Sequence, residues 1–136
     1  MPFGIKTAVN DPRARRFAFA AQKTMYGGKE IAAGDEIFVL ASENEGGRGL
    51  IARGVVASAK AHARPRGAAR WTPRVSIEVN RTGLAKRALG REELKAWRHV
   101  KDGSPQAELD FKFYRQATDK IAGISEEAAA FLRTFF

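Results

Sequence analysis

Hydrophobic and polar positions along this chain change their period several times, and each change marks an element. From Arg16 to Gln22, Phe17, Phe19 and Ala21 alternate with Arg16, Ala18 and Ala20, the period of two that a half-buried strand requires. After the turn signal Gly34-Asp35, Ile37, Phe38, Val39 and Leu40 are apolar without interruption, which predicts a short strand buried on both faces. That run stops at the polar Ser42-Glu43-Asn44-Glu45. Gly46, Gly47 and Gly49 then permit a reversal, and Leu50 to Ala57 returns to strand-forming residues, so the stretch reads as a hairpin with a polar, glycine-rich loop. Arg74 to Arg81 alternates most cleanly, with Val75, Ile77 and Val79 on one face and Arg74, Ser76, Glu78 and Asn80 on the other. Leu109, Phe111 and Phe113 alternate with Asp110, Lys112 and Tyr114, predicting a late strand, and Lys120 to Gly123 predicts another short one.

Two segments read as helices. Arg91 to Trp97 holds good helix formers after Gly90, and Leu94 and Trp97 share a face at a spacing of three. Near the C-terminus Ser125 is an N-cap, with Glu126 and Glu127 in the first turn where the helix dipole favours negative charge. The helix it starts runs from Ala128 to Phe136 and turns Phe131, Leu132 and Phe135 toward the strands. The 136 residues suffice for one domain, spanning 1–136 and of α+β class, with a core that needs no staples.

Composition narrows the chemistry. Cysteine is absent, which removes disulfides and thiolate metal sites. No apolar run approaches the ~18 residues of a membrane span, and no apolar stretch follows Arg13, Arg15 and Arg16 as a signal peptide would require. A cytoplasmic protein without membrane contact is the expectation. The net charge of +9 is unevenly placed: residues 60–101 carry twelve Lys/Arg against three Asp/Glu, while the flanking thirds are near balance. Such a concentration suits a polyanion, because each phosphate neutralised releases condensed counterions; a merely solvated surface is the bland reading. Within it His62 to Trp71 has no apolar period and contains Pro65 and Gly67, so it reads as an exposed basic loop ending in an aromatic residue.

Three stretches resemble the PUA-like superfamily, in particular its EVE branch, with YTH and ASCH domains as more distant relatives. They are Phe17 to Thr24, similar to the first strand with its basic and hydroxyl end; Gly34-Asp35 through Ser42-Glu43-Asn44, with the internal Gly54 of the next strand; and Tyr114 to Thr118 with Ile121, Ile124 and Ser125-Glu126-Glu127. The resemblance implies a small mixed β-barrel of about five to six strands with flanking short helices and a C-terminal helix. If the Phe17 and Ile37 strands pair, Lys23, Thr24 and Tyr26 approach Ser42, Glu43 and Asn44. These groups, with Trp71 as a stacking wall, suit a flipped base offering a π-face and a hydrogen-bonding edge. Arg64, Arg66, Arg70, Arg74 and Arg115 are the expected phosphate contacts. Each has a plainer reading: Trp71 caps the barrel, Tyr26 buttresses the Gly27-Gly28 turn, Glu43 and Asn44 are hairpin-loop residues, and Arg115 pairs with Asp119. Trp97 is read as core.

The expected function is a non-catalytic reader of DNA or RNA that accommodates a base, in particular a modified one. No cofactor and no metal is expected, and the sequence leaves the oligomeric state open. One alternative is a small hydrolase similar to ASCH domains, with Lys29 as an activated amine and Glu30 or Glu43 as acid or base. Adjacent residues of an extended chain point to opposite faces, which counts against Lys29 with Glu30. The other alternative is a ligand-free protein-interaction domain. Familiar catalytic patterns fail: Gly47-Arg48-Gly49-Leu50-Ile51-Ala52 matches a dinucleotide fingerprint but leads into a strand, Gly28-Lys29 is followed by Glu30 where a P-loop has Ser or Thr, and His62 and His99 lack metal-ligand spacing.

Overall fold

Six strands close into a barrel in which parallel and antiparallel pairings mix. The computed structural model describes residues 1–100 and 102–136, so Lys101, the last residue of the basic segment, lies outside the described residues. The strands are β1 (Pro2–Thr7), β2 (Arg16–Met25), β3 (Glu36–Ala41), β4 (Gly49–Ala61), β5 (Arg74–Leu84) and β6 (Lys120–Gly123). Around the barrel they run β1-β3-β4-β5-β2-β6, with β1·β3 and β2·β6 parallel and the remaining pairs antiparallel. Closure leaves no free sheet edge. The helices are α1 (Arg91–Leu94), α2 (Pro105–Asp110) and α3 (Glu126–Arg133).

The barrel interior is apolar and full, holding Phe3, Ile5, Phe17, Phe19, Ile37, Val39, Ile77, Val79 and Ile121. A second core lies outside the barrel wall, where Phe38, Leu40 and Ala122 meet Leu94, Leu109, Phe113, Ala128 and Leu132 from the helical segments. Both cores explain the uninterrupted apolar run of β3: Ile37 and Val39 face inward, Phe38 and Leu40 face the helices. Trp97 packs on the second core as expected. The internal Gly54 of β4 is required by space, since a Cβ there would meet the Asn80 carbonyl oxygen at 2.4 Å. It sits where the β4–β5 register slips between Arg53 and Gly54.

Three expectations change. The strand expected at Leu109 to Tyr114 is helical: α2 continues into a π-helical turn, Phe111–Arg115. Leu109 and Phe113, four residues apart, are buried, whereas Phe111 is 40% exposed, so the helical period fits and the period of two does not. The signal was upstream, where Ser104 caps the Ala107 N–H and Pro105 takes the first helical position. Secondly, β1 precedes the strand expected to be first. Thirdly, β2 and β3 do not pair; β6 and β1 stand between them. Ser125 does cap α3, its hydroxyl accepting from the Ala128 N–H at 3.0 Å while itself donating to Glu108 of α2. Burial disfavours the Glu108 carboxylate, but hydrogen bonds from the Ser125 hydroxyl and N–H and from Lys112 outweigh it and hold its pKa below the usual value. Among the described residues no helix is long and apolar enough to cross a membrane.

Candidate functional site

At one end of the barrel a polar cleft of about 420 Å³ opens between strand ends. Its wall is formed by Thr7 at the end of β1, Ala21, Gln22 and Lys23 from β2, Ser42, Asn44 and Glu45 beyond β3, Arg74 at the start of β5, and Ala117, Thr118 and Asp119 leading into β6. Three strands and the segments adjoining two more therefore contribute, and the parallel β1·β3 pair brings Thr7 and Ser42 to the same end: the Ser42 N–H donates to the Thr7 carbonyl at 2.8 Å.

A bulge in β2 shapes one wall. The β2–β5 register slips between Phe19 and Gln22, and Ala21 takes a left-handed φ of 49°, a conformation that costs a residue with a Cβ about 1–3 kcal/mol and is kept where surroundings enforce it. Here they do: the Ala21 N–H donates to Ser76 Oγ and Arg74 Nη1 donates to the Ala21 carbonyl, both at 2.8 Å. The same knot roots the basic loop. His62 Nε2 lies 2.6 Å from Ser76 Oγ, the His62 N–H donates to the Arg74 carbonyl, and Thr24 Oγ1 donates to the Pro73 carbonyl at 2.7 Å.

Two buried lysines hold the opposite wall. Lys6 and Lys120 are directly opposed on β1 and β6, at 1% and 0% exposure. Lys6 Nζ donates to the Ala117 carbonyl at 2.7 Å, and Lys120 Nζ to those of Gln116 and Thr118 at 2.6 and 2.9 Å. These carbonyls follow the π-helical turn, where a cation is favoured and unpaired acceptors need partners. Burial lowers the Lys6 pKa, with Asp119 opposing the shift. Burial, and next the charge of Lys6, push Lys120 down to about 8.

The Ser42 side chain is 1% exposed, and its hydroxyl has no hydrogen-bond partner among the described residues. A buried hydroxyl left unpaired costs about 1–3 kcal/mol, so Ser42 carries unused hydrogen-bonding capacity at the cleft wall.

The cleft gathers Lys23, Ser42, Asn44 and Arg74 of the residues the sequence singled out, and leaves others elsewhere. Thr24 is buried and committed to Pro73. Tyr26 packs edge-on against Phe111, with Lys112 above its ring. Glu43 turns toward α1, accepting the Arg91 N–H at 2.8 Å, and Arg91 Nη2 donates to Asn44 Oδ1 at 2.9 Å. Burial, and next the Glu43 carboxylate, raise the pKa of the Tyr114 hydroxyl well above the ordinary tyrosine value. Trp71 is half-buried in the basic loop and outside the cleft wall, which among the described residues contains no aromatic ring. Arg64 donates back to the Ala68 carbonyl within the loop, whereas Arg66 and Arg70 are exposed. Arg115 lies over the Phe111 ring, away from the cleft. Lys29 and Glu30 are exposed in a short 3-10 turn, also away from it. Sequence reasoning did not single out Thr7, Gln22, Glu45 or Ala117 to Asp119 as cleft residues, nor Lys6 and Lys120 as the buried lysines behind them. The spacing Phe3-Gly4-Ile5-Lys6 was the available sign of β1.

No family model matches the chain, and no curated protein matches it by sequence. Solved structures do match along nearly the whole length. The DUF55 domain of human thymocyte nuclear protein 1 superposes with a TM-score of 0.67 at 14% identity, covering 98% of this chain and 97% of that one. The human THYN1 protein in complex with DNA containing 5-methylcytosine gives 0.65 at 15% identity, covering 98% and 95%. A protein from Pseudomonas putida gives 0.65 at 13% identity, covering 99% of each chain. Closed mixed barrel, flanking short helices, C-terminal helix and full-length superposition agree, and this chain has the fold of these proteins, a small mixed α+β barrel of PUA-like type.

Proposed function

We propose that this protein is a nucleic-acid reader that takes one base, in particular a modified one, into the cleft at the barrel end, while the 62–73 loop holds the phosphate backbone. The observation that carries the reading is the unpartnered, buried Ser42 hydroxyl on the wall of a polar cleft beside the root of a loop containing arginines and no carboxylates. A base supplies what is missing, a hydrogen-bonding edge for the Ser42 hydroxyl, and can accept from the Asn44 side-chain NH2, whose oxygen already accepts from Arg91; the cleft volume falls within the roughly 300–1,000 Å³ of small-ligand sites. In this reading the Arg74 guanidinium gives a flat surface for the base, as arginine planes do in other single-base sites. Trp71, three residues away in the loop, closes over the open side. A structure of similar fold, that of human THYN1, is a complex with DNA containing 5-methylcytosine, which makes such DNA the first probe.

The test is a fluorescence titration with duplex DNA carrying 5-methylcytosine, the unmodified duplex, and single-stranded DNA and RNA, over a range of salt. Binding that weakens steeply with salt, favours a modified probe and drops about five- to 150-fold on Trp71→Ala, the loss of about 1–3 kcal/mol of stacking, is the expected result. Absence of binding to every probe at low salt overturns the reading.

A further inference from the structure

A second cationic field adjoins the same loop that forms the cleft wall. The β3–β4 loop gives Ser42, Asn44 and Glu45 to the cleft and then Arg48 to a separate groove of about 440 Å³. Arg13, Lys86 and Arg87 complete the groove's charge, and Leu50 and Leu84 lie among its lining. All four cations are exposed, and among the described residues no carboxylate lines the groove and none of the four is in an ion pair. Four like charges gathered without a counter-charge repel one another, and an anion relieves that repulsion.

The groove is rigid where it matters. The Leu50 N–H donates to the Leu89 carbonyl, the Ala85 N–H to Ile51 and the Lys86 N–H to Phe135, at 2.6–2.9 Å. Gly49, with φ 80°, lets the chain pass so close to this segment that a Cβ would meet the Leu89 carbonyl at 2.3 Å. Arg87 is held over the Phe135 ring and donates to the Thr134 carbonyl. Arg48 and Lys86 have no such side-chain bonds among the described residues and remain available.

We infer that this groove is a second phosphate-binding site, engaging the nucleic-acid backbone beside the hairpin loop. The inference rests on the reader function proposed above. A base entering the cleft then has its strand held by both fields, through Arg66 and Arg70 in one and through Arg48 and Lys86 in the other.

The experiment measures the slope of log Kobs against log salt for a fluorescein-labelled duplex DNA containing 5-methylcytosine, with wild type and the double variant Arg48→Gln/Lys86→Gln, thermal melting serving as the fold control. Each lost phosphate contact on B-DNA makes the slope shallower by about 0.9, so the variant's slope becomes shallower by about 1.8 with unchanged melting. Wild-type binding with an unchanged slope in the variant overturns the groove and leaves the reader function standing. No wild-type binding overturns both. Should the double variant melt early, Lys86→Gln alone decides with half the change.

Discussion

Ser42 and Lys120 are buried polar residues with opposite states of satisfaction, and their predicted responses differ accordingly. The Ser42 hydroxyl is unpartnered, so Ser42→Ala removes a buried group that gains nothing in the free protein. The thermal midpoint is expected to hold or rise, while affinity for the preferred probe falls about five- to tenfold, the worth of one hydrogen bond of about 1 kcal/mol or slightly more. Parallel melting and titration check this; a large drop in melting temperature would make Ser42 a structural residue. Lys120 is partnered but held at a lowered pKa of about 8, against 10.5 for the free side chain. Between these values the unfolded chain binds more protons than the folded one, so stability rises with pH across that window. The neutral amine still has two hydrogens for the Gln116 and Thr118 carbonyls. Urea midpoints of wild type are therefore expected to climb from pH 8 toward 10, more steeply than those of Lys120→Met. Lys6, whose pKa is also lowered, adds in the same direction. Tyr114, with its raised pKa, acts with the opposite sign above the ordinary tyrosine value of 10.

At the scale of elements, local sequence was a good guide to strands, alternating in β5 and uninterrupted in β3, and a poor one where a helix carries an apolar residue on its exposed side. The alternation of Val75, Ile77 and Val79 located β5 because its other face meets solvent. In the 109–114 stretch every second residue is apolar, yet the Ser104-Pro105 start and the two buried positions Leu109 and Phe113 make it helical. Phe111 is apolar for a different reason, forming an aromatic contact with Tyr26. β1 escaped notice because Lys6 in its outward position reads as solvent-facing, although that position lies under the helical layer. Gly54, by contrast, was legible as a strand glycine, and its role is steric: Gly54→Ala places a methyl against the Asn80 carbonyl. The β4–β5 pairing must then shift, with an expected loss of about 1–3 kcal/mol in denaturant unfolding.

At the scale of the molecule, barrel closure turns separate polar strand ends into one cleft flanked by two cationic fields. If Arg66, Arg70, Arg48 and Lys86 each neutralise one phosphate, the wild-type salt slope on duplex DNA is about −3.6, against about −1.8 if one field alone engages. The same measurement on Arg66→Gln/Arg70→Gln isolates the loop's share.

The sequence by itself determined the hairpin whose loop ends the cleft wall, the Ser125-capped terminal helix, and the concentration of charge between residues 60 and 101, because periodicity, turn residues and charge are local properties, while the closed barrel was implied only by the resemblance to PUA-like domains. Only the tertiary structure decided which polar residues meet. Lys23 and Ser42 face one cleft although their strands do not pair, because β6 and β1 bridge them. Thr24, Tyr26 and Glu43, each a neighbour or near neighbour of a cleft residue, are taken up by Pro73, Phe111 and Arg91. Adjacent residues on a twisted strand or tight turn diverge, and their partners come from far along the chain. Barrel closure fixes those partners, and spacing in the sequence does not encode them.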